Sequence, residues 1–132
     1  LWSAPWLLFS SEFVRQPHEL PQRVYLSGPM TGLPDDNFPA FHAMTERLRK
    51  GFCQVFNPAE SFAGKHGLPR KVYMRHDIGA LLDCRSIVLL PGWHRSRGVM
   101  MELHVAYDLD YPIFSFDTES GVFYRRYFEE PS

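Results

Sequence analysis

Four short runs rich in aliphatic, aromatic and β-branched residues punctuate this sequence: RVYLSG (23–28), CQVFNP (53–58), SIVLLPG (86–92) and YPIFSF (111–116). The third constrains the fold most. Its hydrophobicity is continuous, as a strand covered on both faces requires, whereas a sheet with one wet face would show alternation. Between the runs the period changes. Phe38, Phe41, Met44, Thr45 and Leu48 recur at helical spacing with charged residues opposite, Asp36 or Asn37 is placed to cap this helix, and Gly51 to end it. Further helices are expected over 71–84 and 98–109.

Strand, helix and strand in succession predict parallel strands joined by crossover helices. The expected fold is a single α/β, flavodoxin- or Rossmann-like three-layer domain with a four- or five-stranded parallel sheet, spanning residues 22–132. The tail SGVFYRRYF either adds an edge strand or docks on a neighbour, and its pattern does not choose. With 132 residues the chain suffices for one core that buries roughly two thirds of the unfolded surface.

Charge limits the partners. Fourteen basic against 15 acidic residues, a formal net charge of -1, leave no footprint for a nucleic-acid duplex or an anionic membrane, so an anionic ligand has to be small and locally bound. No window approaches the roughly 18 to 20 apolar residues of a membrane span. Cys53 and Cys84 lie in apolar runs without metal-ligand spacing, and read as reduced core residues of a cytoplasmic protein. Residues 1–21 read as an N-terminal extension. The stretch LWSAPWLLFSS lacks a basic leader, contains Pro5 and shows no convincing cleavage site, so a signal peptide is not expected. Its Trp2, Trp6, Leu7, Leu8 and Phe9 call for a surface to cover, a subunit interface being one candidate.

Sheets of this kind bind ligands outside the carboxyl ends of their strands, which here gathers the loops 27–37, 57–70, 91–98 and 115–121. The first, SGPMTG, offers Ser27, Gly28, Pro29, Met30 and Gly32. Its amides suit a phosphate or carboxylate, and a plain structural turn explains it as well. The third, PGWHRSRG, brings Trp93, Arg95, Ser96, Arg97 and Gly98 to an electropositive helix start. Two guanidiniums and a hydroxyl there suit a phosphate, and Trp93 a base; a solvated basic turn is the plain alternative.

Glu102 is the most demanding residue. It stands among Val99, Met100, Met101, Leu103, Val105 and Ala106 and shares a helix face with Val99 and Ala106, where an ionised side chain is expensive unless paired or used. It is either a nucleophile toward an electrophilic carbon or an ion-pair partner of Arg95 or Arg97. Asp77, in YMRHDIGALLDC, is a second carboxylate, able to donate a proton if the preceding loop carries it to the strand ends. Tyr25 is a strand aromatic whose hydroxyl can reach a carboxylate there. His76, His94 and His104 read as exposed.

In their joint order, YLSGPMTG, HDIGALLDCRSIVLLPG and SRGVMMELHVAYDLDYPIF resemble the nucleoside 2-deoxyribosyltransferase superfamily, over residues 23–116. The likeness is nearest to a phage and bacterial branch; the superfamily also holds 2′-deoxynucleoside 5′-monophosphate N-glycosidases and CMP hydrolases. The resemblance implies that Glu102 attacks C1′ of the sugar, that Tyr25 orients it, and that Asp77 serves as acid and base at the leaving nucleobase. Ser96 falls where the nucleoside transferases carry an aspartate and the nucleotide hydrolases a serine for the 5′-phosphate. Met100 departs from the small residue usual two positions before the glutamate, and SFAGKHGLPRK matches no known base pocket. The function so implied is hydrolysis of a (deoxy)nucleoside 5′-monophosphate N-glycosidic bond through a glycosyl-enzyme intermediate. No metal or organic cofactor is required, and a homodimer or higher homo-oligomer is expected. Base exchange by the same site, or a non-catalytic nucleotide-binding or sequestering module, are the alternatives.

Overall fold

The computed structural model describes residues 7–14, 23–51 and 53–129. Its elements in chain order are β1 (Leu7–Val14), β2 (Arg23–Ser27), α1 (Phe38–Lys50), β3 (Gln54–Phe56), α2 (Arg70–Leu82), β4 (Ser86–Leu89), α3 (Arg97–Asp108), β5 (Ile113–Asp117) and β6 (Val122–Glu129). They form one six-stranded sheet in the order β1-β6-β5-β4-β2-β3. Strands β3, β2, β4 and β5 are mutually parallel. This is the Rossmann-like α/β fold that the alternation of strand and helix predicts.

Two antiparallel strands extend the parallel four. The tail becomes β6 beside β5, and residues 7–14 of the N-terminal segment pair with β6, Leu7 opposite Glu129 and Val14 opposite Phe123. The edge of β6 would otherwise present unpaired backbone groups, and β1 satisfies them. Part of the expected extension is therefore a strand of the same sheet. Trp2, Trp6 and the boundary between residues 21 and 22 lie outside the described residues. Among the described residues no helix is long and apolar enough to cross a membrane.

The period of two along the parallel strands sorts the core into two layers. Val24, Leu26 and Val88 face α1, where they join Phe41, Met44 and Leu48. Tyr25, Ile87 and Leu89 face the other way, onto Leu81 of α2 and Val99, Leu103 and Ala106 of α3. The buried residues of α1, Phe41, Met44, Thr45 and Leu48, are among those read from the helical period, and Phe38, at the helix start, is partly buried. Cys53 and Cys84 are both buried.

The helix start differs from expectation. Asn37 precedes α1 in a left-handed conformation and makes no side-chain cap; its Nδ2 instead donates to the Pro29 carbonyl at 2.9 Å. It thereby ties the loop after β2 to α1. Gly51 closes the helix as expected, its amide meeting the carbonyls of Leu48 and Arg49.

Chain order now locates the cleft. From β2 the chain passes through α1 to β3 on one side, then crosses through α2 to β4 on the other side of β2. The loops after β2 and β4 diverge at this switch point and leave a crevice between them.

Candidate active site

Tyr25 and Ser27 are two residues apart on β2, so both point toward α3, and there they meet Glu102. The Tyr25 hydroxyl donates to Glu102 Oε2 at 2.5 Å, and the Ser27 hydroxyl donates to Oε1 at 2.6 Å. Glu102 is only 7 % exposed and makes no ion pair among the described residues; the pairing with Arg95 or Arg97 does not occur. Burial raises its pKa to about 7, against the Ser27 and Tyr25 hydrogen bonds, which hold it down; the charge of Asp77 raises it further. Burial, then the facing charge of Glu102, pushes the Tyr25 hydroxyl well above the usual range, so it remains a neutral donor. The phenol is fixed from behind by Phe56, whose ring stacks on it with centroids 5.3 Å apart.

Glu102 lies in the wall of a pocket of about 440 Å³ at the switch point. Asp77 lines the same pocket, also 7 % exposed. Its arrival there depends on the irregular turn Pro58–Gly64, which leads into α2 and supplies Ser61. Asp77 Oδ1 accepts from the Ser61 hydroxyl at 3.2 Å and lies 3.1 Å from His76 Nδ1. Both contacts fall on one oxygen, and among the described residues Oδ2 has no hydrogen-bond partner. Burial raises the Asp77 pKa, while the hydrogen bonds from His76 and Ser61 oppose the rise. His76 is exposed, as its sequence position suggests, yet it buttresses this carboxylate.

Of the expected binding residues, Ser27, Gly28, Met30, Ser96 and Gly98 line the pocket. Ser96 caps α3, its Oγ accepting from the Val99 amide at 3.3 Å. The hydroxyl proton is then left to donate to a ligand. Gly28 is needed for close approach, because a Cβ there would fall 2.8 Å from Leu90 Cβ.

Trp93, Arg95, Arg97, Pro29 and Gly32 do not line the pocket. Arg95 and Arg97 are exposed on either side of Ser96, whose side chain caps the helix. Trp93 packs edge-on against Phe128, centroids 5.9 Å apart, instead of facing a ligand. Pro29 contacts the Gly92 turn, lying 3.3 Å from where a Cβ would be, and Gly32 forms the turn at φ +84°.

Other lining residues are not singled out for a ligand by the sequence. Asp36, Phe38, Leu68, Arg70, Tyr73 and Met74 meet at the mouth. Asp36 Oδ2 lies 2.6 Å from His66 Nδ1, and the His66 ring stacks on Phe38 at 4.3 Å, joining the loop after β2 to the segment before α2. The Tyr73 hydroxyl donates to the Lys65 carbonyl at 2.7 Å and accepts from the Leu68 amide at 3.1 Å, which fixes that segment. Among the described residues no three His, Cys, Asp or Glu side chains gather as a metal site.

Chemically, the pocket pairs a buried carboxylate held by two hydroxyl donors with a second carboxylate that keeps one oxygen open. A comparison with curated proteins gives no match. The model of the family described as a domain of unknown function, DUF4406, matches residues 22–115, which cover β2 through most of β5 and every residue of the Tyr25, Ser27, Asp77 and Glu102 cluster, and the chain belongs to that family.

Proposed function

We propose that the chain hydrolyses the N-glycosidic bond of a (deoxy)nucleoside 5′-monophosphate, with Glu102 as nucleophile at C1′. The observation that carries this reading is the clamp of Tyr25 and Ser27 on Glu102 in a pocket shared with Asp77. A carboxylate serving only structure has no need to share a pocket with a second one that keeps an oxygen open. The volume suits a ligand of this size.

In the first step Glu102 attacks C1′, the C1′–N bond breaks, and its electron pair goes to the base nitrogen, which takes a proton from Asp77. In the second, water attacks C1′ of the glycosyl ester and gives its proton to Asp77, and Glu102 leaves. Water enters; free base and sugar phosphate depart. The two hydroxyl donors hold the carboxylate in one orientation and stabilise the charge it regains as a leaving group. Ser96 and the first amides of α3 suit the 5′-phosphate. A second base in place of water would make the same site a transferase, so the two activities differ in water exclusion.

The same reading carries a cytoplasmic homodimer, which sedimentation equilibrium checks; a monomer at working concentration removes that part. The reaction itself is tested by incubating the chain with ribo- and deoxyribonucleoside 5′-monophosphates and separating free bases by chromatography. Base release that disappears in Glu102→Ala supports the hydrolase. Tight nucleotide binding unchanged by that substitution, with no turnover of any nucleotide, leaves a binding module instead.

A further inference from the structure

The pocket is lined by three carboxyl groups, those of Asp36, Asp77 and Glu102. A phosphate monoester entering beside these groups needs a cation, and the arginines beside Ser96 are exposed and do not line the pocket. Among the described lining residues Arg70 is the sole lysine or arginine. It opens α2, is exposed at the rim, and forms no ion pair among the described residues. Its described contact is soft: Nη2 lies 3.5 Å from Met101 Sδ.

That contact also says where the guanidinium is. Met101 belongs to the early part of α3, and Met74, one turn beyond Arg70 on α2, has its sulfur 3.9 Å from the position a Gly98 Cβ would take. The start of α2 thus packs beside the start of α3, so that Arg70, Ser96 and Gly98 share a corner of the pocket. Arginine offers a planar fork matched to two phosphate oxygens; the Arg70 charge also acts on the Glu102 carboxylate from a distance, but no close ion pair among the described residues ties up the fork.

We infer that Arg70 is the phosphate anchor of this pocket and sets its selectivity for a nucleoside 5′-monophosphate over the nucleoside. The inference rests on the proposed nucleotide substrate and names the group that recognises its anionic end.

The test is calorimetric binding of matched pairs, each nucleoside 5′-monophosphate and its nucleoside, to the full chain and to Arg70→Gln and Arg70→Lys. Base release is measured separately. The expected result is a monophosphate preference in the unaltered chain that falls about 10- to 100-fold in Arg70→Gln and is partly kept in Arg70→Lys, as for the loss of a charged hydrogen-bond partner. Competition by inorganic phosphate weakens in parallel. A preference untouched by Arg70→Gln, no preference in the unaltered chain, or an equal fall from Arg95→Gln or Arg97→Gln overturns the inference. A preference that depends on Arg70 without base release from any nucleotide supports the anchor and removes the proposed reaction, so the two fail separately.

Discussion

The Tyr25 hydroxyl donates to Glu102 Oε2 at 2.5 Å, joining a fully buried phenol to a carboxylate that burial has shifted toward its neutral form. The two residues lie on different layers, β2 and α3, and the strand period places the hydroxyl of Ser27 on the second oxygen. Desolvation alone would leave Glu102 protonated; two donors restore part of the anion's stability without admitting water.

Tyr25→Phe removes one of those donors while keeping the ring that Phe56 stacks on. The Glu102 carboxylate loses a hydrogen bond that lowers its pKa, so that pKa rises. Base release is expected to fall about tenfold for the loss of one such bond in the transition state. Steady-state rates for the variant check it, and an unchanged rate places Glu102 outside the chemistry.

The two carboxylates are electrostatically coupled, so their proton belongs to the pair. The proposed first step needs one proton in all, on Asp77, with Glu102 ionised. Above the Glu102 value of about 7 the pair loses its last proton, and kcat/KM is expected to fall as pH rises through that region. A nucleotide of N7-methyladenine carries a base that stays positive through this range and leaves without protonation. For it, kcat/KM is expected to rise through the same region and stay high, because only the ionised nucleophile is then required. Parallel pH profiles for the two substrates contradict an acid role for Asp77. With Asp77→Asn, the ordinary substrate is expected to lose about 10²- to 10⁴-fold and the methylated one far less.

Glu102 also writes a pH dependence into stability. Its pKa is raised from 4.5 to about 7, so between these values the folded chain holds a proton that the unfolded chain has released. Stability therefore falls as pH rises across that window, by up to about 3 kcal/mol, and is flat on either side from this group. Glu102→Gln retains the shape without the titration. The difference in unfolding free energy between the two, from urea denaturation at successive pH values, is expected to shift toward the variant from pH 4.5 to 7. A constant difference shows that Glu102 titrates normally.

The layers and the reach of Tyr25 to a carboxylate are legible in the sequence because regular periods carry them, whereas Ser27, read there as part of an anion-binding loop, instead donates to Glu102. Two residues apart on a strand means one face, and Glu102 shares its helical face with Val99 and Ala106, so all three point toward the same core layer. The mouth of the pocket is not legible in this way. Arg70, Tyr73 and Met74 reach it because the turn Pro58–Gly64 redirects the chain, with Phe62 and Ala63 at positive φ, and such a turn has no periodic signature. Adjacency misleads at Arg95 and Arg97, which are exposed although Ser96 between them lines the pocket. The tail misleads differently: its apolar residues fit an edge strand or a docking surface equally, and the choice is made by the backbone of β5 and β1 on either side.

Glycine substitutions separate the pocket from the fold that holds it. Gly28 follows Ser27, and a Cβ there would fall 2.8 Å from the Leu90 Cβ, an atom fixed to the backbone that cannot swing aside. The loop must shift, at a cost of about 1–3 kcal/mol, and Ser27 shifts with it, loosening the hold on Glu102 Oε1. Gly28→Ala is therefore expected to lower both the unfolding midpoint and base release. Gly79, on the exposed face of α2, has no atom within 4 Å of an added Cβ and ordinary backbone angles. There alanine is expected to stabilise by about 0.5–1 kcal/mol through helix propensity, with base release unaltered. Thermal denaturation and turnover measured side by side distinguish the two sites, and a Gly28→Ala chain as stable and active as the parent shows that the contact with Leu90 does not position Ser27.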